Sequence, residues 1–346
     1  MIANEANPWM SALRPASSAG RAAITSTSID GADAARNPSI DPGVQQGMTM
    51  GRLYWVPLAA ALVLGGCGGD IGRDRPQDGS SPSQAPADTS ATSRGDLSSF
   101  SGRIAFDNFE DVWTIDADGT HLTRLTRAPY PEFDPSWSPN GTEIAFRSER
   151  NGEPDIWIMN ADGTGQRRLT EGLSPAWSPD GSLIAFSGRA GLSLIRPDGT
   201  GRRVLPDTEG GEYPSWSPDG SRIAFNSNLT GDHVMYIAQA DGSKVVDLSD
   251  VGEGWQVDWS PDGRSILFTS HRDHPDNYTD VYLMRPDGSG IRRLTNNLGY
   301  TPAWSPDGEH IVFSAPGLFI MDPDGSDARA FPALGVGETA LPDWTA

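Results

Sequence analysis

Trp177-Ser178-Pro179-Asp180-Gly181, followed at once by Ile184-Ala185-Phe186, decides how this chain folds, because the same words return along its length. The pentapeptide begins at Trp137 (with Asn140 in place of Asp), Trp177, Trp216, Trp259 and Trp304, at intervals of 40, 39, 43 and 45 residues. A period near forty is the size of one propeller blade.

Two further marks keep step with it. Apolar triplets occur at Ile104-Ala105-Phe106, Ile144-Ala145-Phe146, Ile184-Ala185-Phe186, Ile223-Ala224-Phe225, Ile266-Leu267-Phe268 and Ile311-Val312-Phe313. Asp-Gly pairs follow at Asp118, Asp162, Asp198, Asp241, Asp287 and Asp324. Both marks occur six times, the pentapeptide only five. The first triplet has no Trp ahead of it, whereas the chain ends Pro342-Asp343-Trp344-Thr345-Ala346. The last strand is therefore expected to join the blade begun by the first three, which closes the ring and removes two exposed sheet edges.

Proline presets the first corner of the Pro-Asp-Gly turn and glycine accepts positive φ, so the Trp strand reverses into the triplet strand. Asp155-Ile156-Trp157-Ile158-Met159 and Asp280-Val281-Tyr282-Leu283-Met284 read as third strands, and Arg167-Arg168-Leu169-Thr170 as an outer fourth. One such sheet cannot bury its own apolar face, but six around an axis can. The fold class is all-β, a six-bladed propeller of four-stranded antiparallel blades. Burying one Trp contributes at most about 4–6 kcal/mol, so the repeated tryptophans are assigned to the packing between blades. Asp116-Ala117-Asp118-Gly119 and Asp322-Pro323-Asp324-Gly325 lack the sixth-position Gly and twelfth-position Glu of a calcium loop and read as turns.

With these marks assembled, residues 100–346 resemble the TolB-type β-propeller repeat family. The resemblance implies the six-blade fold more strongly than any one activity, since related propellers serve as protein-binding scaffolds, as gates of prolyl-oligopeptidase-like enzymes and as polysaccharide lyases. TolB itself carries an N-terminal α/β domain and binds a peptidoglycan-associated lipoprotein. Here a tether stands before the blades. The Gly-x-Ser-x-Gly elbow of the peptidase relatives does not occur in the sequence, so any peptidase would be a separate polypeptide.

Ahead of the blades, residues 48–67 read as an export signal, with Arg52, an apolar run from Leu53 to Leu64, and Leu64-Gly65-Gly66-Cys67. The run is too short to span a bilayer. It resembles a lipoprotein signal, which implies acylation of Cys67, the sole cysteine of the chain. Residues 1–47 form an upstream low-complexity segment, and translation is expected to begin at Met48 or Met50. Residues 68–99, rich in Ser, Pro and Gly, read as a flexible tether. Lipid anchoring at the cell envelope follows: periplasm or outer membrane with two membranes, the outer face of the cytoplasmic membrane with one. A formal net charge of −20 speaks against a basic surface for nucleic acid or anionic lipid.

Pro-Asp-Gly and Asp-Gly turns are expected on one face of the disc and the variable loops on the other. There Tyr130, Glu132, Asp134, Glu212, Tyr213, Glu253, Trp255 and Glu338 would bring acids and aromatics to the channel mouth. His233, beside Asp232, with His271 and His274, is the candidate set for a divalent metal; otherwise no cofactor is expected. No nucleophile and base stand at recognisable spacing, so catalytic residues are not assigned. The expectation is a monomeric, non-enzymatic propeller binding an envelope protein or peptide, the alternatives being a metal-assisted, polysaccharide lyase-like enzyme or a propeller subunit working with a separate peptidase.

Overall fold

The computed structural model describes residues 96–346, apart from 230–232, 275–277, 297–298 and 333. Cys67, the expected signal and nearly all of the tether lie outside the described residues, as does Asp232. Among the described residues there are six four-stranded antiparallel sheets and a single short 3-10 turn, Ser249–Val251. The first blade is built from Arg103–Asp107, Val112–Asp116 and Thr123–Arg124, with Ala340–Thr345 as its inner strand. Closure is therefore as the repeat count requires, with Trp344 opposite Ile104 and Thr345 opposite Arg103. The inner strands of the other blades are Glu132–Trp137, Leu173–Trp177, Gly211–Trp216, Trp255–Trp259 and Tyr300–Trp304. Each touches the inner strand on either side, so the six line a central channel.

Every residue of the pentapeptide has a task in its turn. In Trp177-Ser178-Pro179-Asp180-Gly181 the Ser178 hydroxyl donates to Asp180 at 2.6 Å and accepts the Leu183 N–H at 2.9 Å. Asp180 also accepts the Ser182 N–H at 3.0 Å, and Gly181 takes φ 70°. Asn140 replaces Asp in the second blade without loss of the pattern, its Oδ1 accepting from Ser138 at 2.8 Å. In the Asp-Gly turns, Asp118 accepts from the Thr120 N–H and hydroxyl, which is turn chemistry rather than a calcium loop.

The triplet sets the core. Side chains alternate across a strand, so Ile and Phe face one neighbouring blade and the residue between them faces the other. Ile104 and Phe106 pack with Ala303, Val312 and Ile320 of the sixth blade, while Ala105 meets Trp137 and Phe146 of the second. The same exchange recurs as Ala145 with Trp177, Ala185 with Trp216, Ala224 with Trp259, Leu267 with Trp304 and Val312 with Trp344. All six tryptophans are buried. Leu97, just ahead of the expected domain start at residue 100, is buried in the same core. It lies against Gly119 of the first Asp-Gly turn, while Phe100 meets His310 edge to face at 4.7 Å.

Candidate functional site: the channel mouth

Each inner strand enters the channel through a bulge. Three residues before each Trp stand Asp134, Ser174, Tyr213, Gln256, Thr301 and Leu341, all with φ between 47° and 53°, a region that L-residues seldom adopt. The register shifts there in all six blades. The extra residue of a bulge bends the strand and re-aims its side chains.

Above the bulges runs a second tier of directly opposed pairs: Ala340 with Asp107, Phe133 with Arg147, Leu173 with Ser187, Glu212 with Asn226, Trp255 with Thr269, and Tyr300 with Ser314. The second member is always the polar residue that follows the Phe of the triplet. Ser187, Asn226, Thr269 and Ser314 are buried, and their hydroxyl or amide atoms have no hydrogen-bond partner among the described residues. Asn226 is fully buried, and neither amide atom finds a partner among the described residues. Each of the four lies two residues beyond the middle member of its triplet and so shares the face that packs toward the next blade.

The charged sector spans the first, second and fourth blades. Asp107 accepts the N–H of Phe109 at 3.1 Å and of Asp134 at 3.3 Å; Asp134 in turn accepts the N–H and hydroxyl of Ser174, both at 3.1 Å. Burial, then the Asp134 charge, holds Asp107 well above the ordinary carboxylate range. Burial also raises Asp134, against the pull of Arg147. Glu212 is raised by burial and by Asp134, and Tyr213 by burial and the same carboxylates. Arg147 stacks on Phe133 at 4.8 Å and pairs with Glu149.

Deeper in the channel, a polar residue before four of the six tryptophans links neighbouring blades. The Trp137 N–H donates to Asp343 at 2.6 Å, Trp177 to Ser136 at 3.3 Å, Trp259 to Ser215 at 3.1 Å and Trp304 to Asp258 at 2.8 Å. Burial pushes Asp258 up to about 7, helped by Asp343, which burial pushes to about 6.

The expected site residues separate into three groups. Asp134, Glu212 and Tyr213 come together in the charged sector. Trp255 lies between His233 and His271, ring centroids 5.1 and 5.0 Å away, and His271 pairs with Glu253 at 2.6 Å. Tyr130 and Glu338 are exposed on the rim. Glu132 is not on the rim: it is fully buried inside its blade, held by Ser148 and Arg150, because its strand turns it away from the axis. Of the three histidines, His274 is engaged with Asp280 and, at 2.8 Å, with Arg293, apart from the pair flanking Trp255. Among the described residues no group of three or more His, Cys, Asp or Glu is placed to hold a metal ion. Asp107, Arg147, Asn226, Asp258 and Asp343 were not singled out from the sequence. A signal for the first three was present, a polar residue after every apolar triplet.

A strand-closed ring of six blades with a polar, net acidic mouth defines the class as a six-bladed β-propeller. The TolB β-propeller domain model matches residues 103–256 and 172–321, more than half of the chain, and the chain belongs to that family. It is 36% identical over 64 residues to the Tol-Pal system protein TolB of Albidiferax ferrireducens, an alignment covering 17% of this chain and 15% of that protein. It is similar in fold to the crystal structure of TolB from Acinetobacter baumannii (TM-score 0.62, 22% identity, 72% of this chain and 67% of that one). It is similar also to the putative TolB from Agrobacterium tumefaciens (TM-score 0.57, 20% identity, 72% and 99%). The chain thus spans a small part of the curated relative it matches.

Proposed function

We propose that this chain is a non-enzymatic binding propeller of the cell envelope, exported and tethered through a lipid on Cys67, that receives a protein or peptide at its channel mouth. The supporting observation is where large apolar side chains remain exposed. Phe109, Tyr130, Leu229 and Tyr278 all sit on mouth-side loops; the other two, Val204 and Ile291, lie on or beside outer strands. Among the described residues the Pro-Asp-Gly turns carry none. Exposed aromatics gathered on one face mark an interaction surface. Phe109 adds to this, since the tight turn after Asp107 holds it at φ 64°, and such strain in a bulky residue collects at functional sites. The Tol-Pal name of the similar protein agrees with a partner in the envelope.

Site-specific photocrosslinking in the native envelope tests the proposal. A benzophenone amino acid at Phe109, Tyr130 or Tyr278 should give a discrete adduct, and at Thr200 or Ser221 on the turn face none. Equal adducts from both faces, or none from the mouth, would overturn it.

A further inference from the structure

The face of the pentapeptide turns carries a groove of its own. At each seam the residue just before the triplet shares a strand face with the triplet's middle member, so it leans on the tryptophan of the next blade. Two seams show which chemistry fits there. The Arg103 guanidinium lies over the Trp137 ring at 4.9 Å, and that of Arg222 over the Trp259 ring at 4.6 Å. A cation in that place is held by the quadrupole of the indole. At the seam of the third and fourth blades the same position is Leu183, packed with Trp216. Beside these two a groove of about 310 Å³ opens between the two pentapeptide turns.

The lining narrows what the groove can take. Leu183, Trp216, Pro179 and Pro218 give it apolar surface, and Asp180 and Asp219 stand on the turns that border it. The Trp216 N–H donates to the Ala176 carbonyl at 3.1 Å, so the indole offers the groove carbon alone. Hydrogen bonds from Ser178 and Ser182 hold the Asp180 carboxyl below its ordinary range, and those from Ser217 and Ser221 bring Asp219 down to about 2. Both are therefore charged at neutral pH. No basic side chain is among the lining residues. Arg203, bonded to the Ala240 carbonyl at 2.6 Å, offsets one of the two charges at most. A volume of this size is that of a small-molecule site.

We propose that this groove binds a small organic cation, a guanidinium or amidinium on a short apolar body, in the place that an arginine of the chain itself fills at two other seams. The planar head lies by the Trp216 indole within reach of Asp180 and Asp219, and the body rests on Leu183 and the two prolines. The site is separate from the channel mouth and too small for a folded partner.

Saturation-transfer titration of the purified chain with phenylguanidinium and its neutral isostere phenylurea tests it. The cation should bind about tenfold or more tightly, the size expected of one charge-assisted contact. Leu183→Arg, which gives this seam the guanidinium that the other two carry, should abolish phenylguanidinium binding with the thermal midpoint unchanged. Ala240→Phe fills the groove from another wall and should abolish it too, which keeps the test decisive if the first variant does not fold. Asp219→Asn keeps the turn acceptor, as Asn140 does in the second blade, and should remove most of the preference for the cation. Glu309→Gln, loss of a carboxylate elsewhere on the same face, should leave that preference intact. Equal binding of phenylguanidinium and phenylurea, or cation binding undiminished in the folded groove-filling variants, would overturn the inference. So would equal losses in Asp219→Asn and Glu309→Gln, the mark of diffuse attraction to an acidic surface.

Discussion

At the scale of single residues, the repeated words are turn and packing chemistry, and that is why they were legible. Ser, Pro, Asp and Gly of the pentapeptide are each bound by a local hydrogen bond or a local φ, so their reading needed no tertiary structure. Asp258 and Asp343 could not be read in that way, because what makes them unusual is burial in the channel and proximity to each other across an intervening blade. Both lie above the ordinary 3.8, so protonation favours the folded state. Their stabilisation is complete below the unfolded pKa and is lost as pH rises through about 6 and about 7. The thermal midpoint should therefore fall between pH 5 and pH 8, each group contributing at most about 1.4 kcal/mol per pH unit. Asp258→Asn, which keeps an acceptor for the Trp304 N–H, should flatten that slope in calorimetric scans at several pH values.

At the scale of the strand, the triplet is an alternation of large, small and large that lets one blade receive the tryptophan of the next. Ala224 is the small member opposite Trp259, itself only 4% exposed. Ala224→Leu, conservative by hydropathy, would force that contact apart and should cost about 1–3 kcal/mol by denaturant titration. If stability is unchanged, the packing direction of the triplet is wrong. Hydrophobic alternation showed the strands and their order, but it did not show the bulges. Asp134, Ser174 and Thr301 give no local hint of positive φ; closure of the ring imposes it. For the same reason Glu132, one bulge away from Asp134, read as a mouth residue and is in fact inside the blade.

At the scale of the whole molecule, the missing sixth pentapeptide at the C-terminus was enough to foresee closure, since a count of repeats is itself long-range information. The mouth was half legible. Loop acids and aromatics could be named, but which of them converge depends on distances across the channel that no local pattern carries, as His274 shows by turning to Asp280 and Arg293. Deleting residues 341–346 removes Trp344, its hydrogen bond to Ser101 and most of the seam with the first blade. The loss should be several kcal/mol, about that of other buried Trp truncations, and far-ultraviolet melting should become broad. An unchanged cooperative melt would mean that the ring holds without this strand.

The chain enters the first blade from the side of the tight reversals: Leu97 rests on Gly119, and the Asp96 carbonyl accepts from Arg329 beside the sixth blade's outer strand. The first described residues are thus fastened on the reversal side, at the seam of the first and sixth blades, away from the acidic opening.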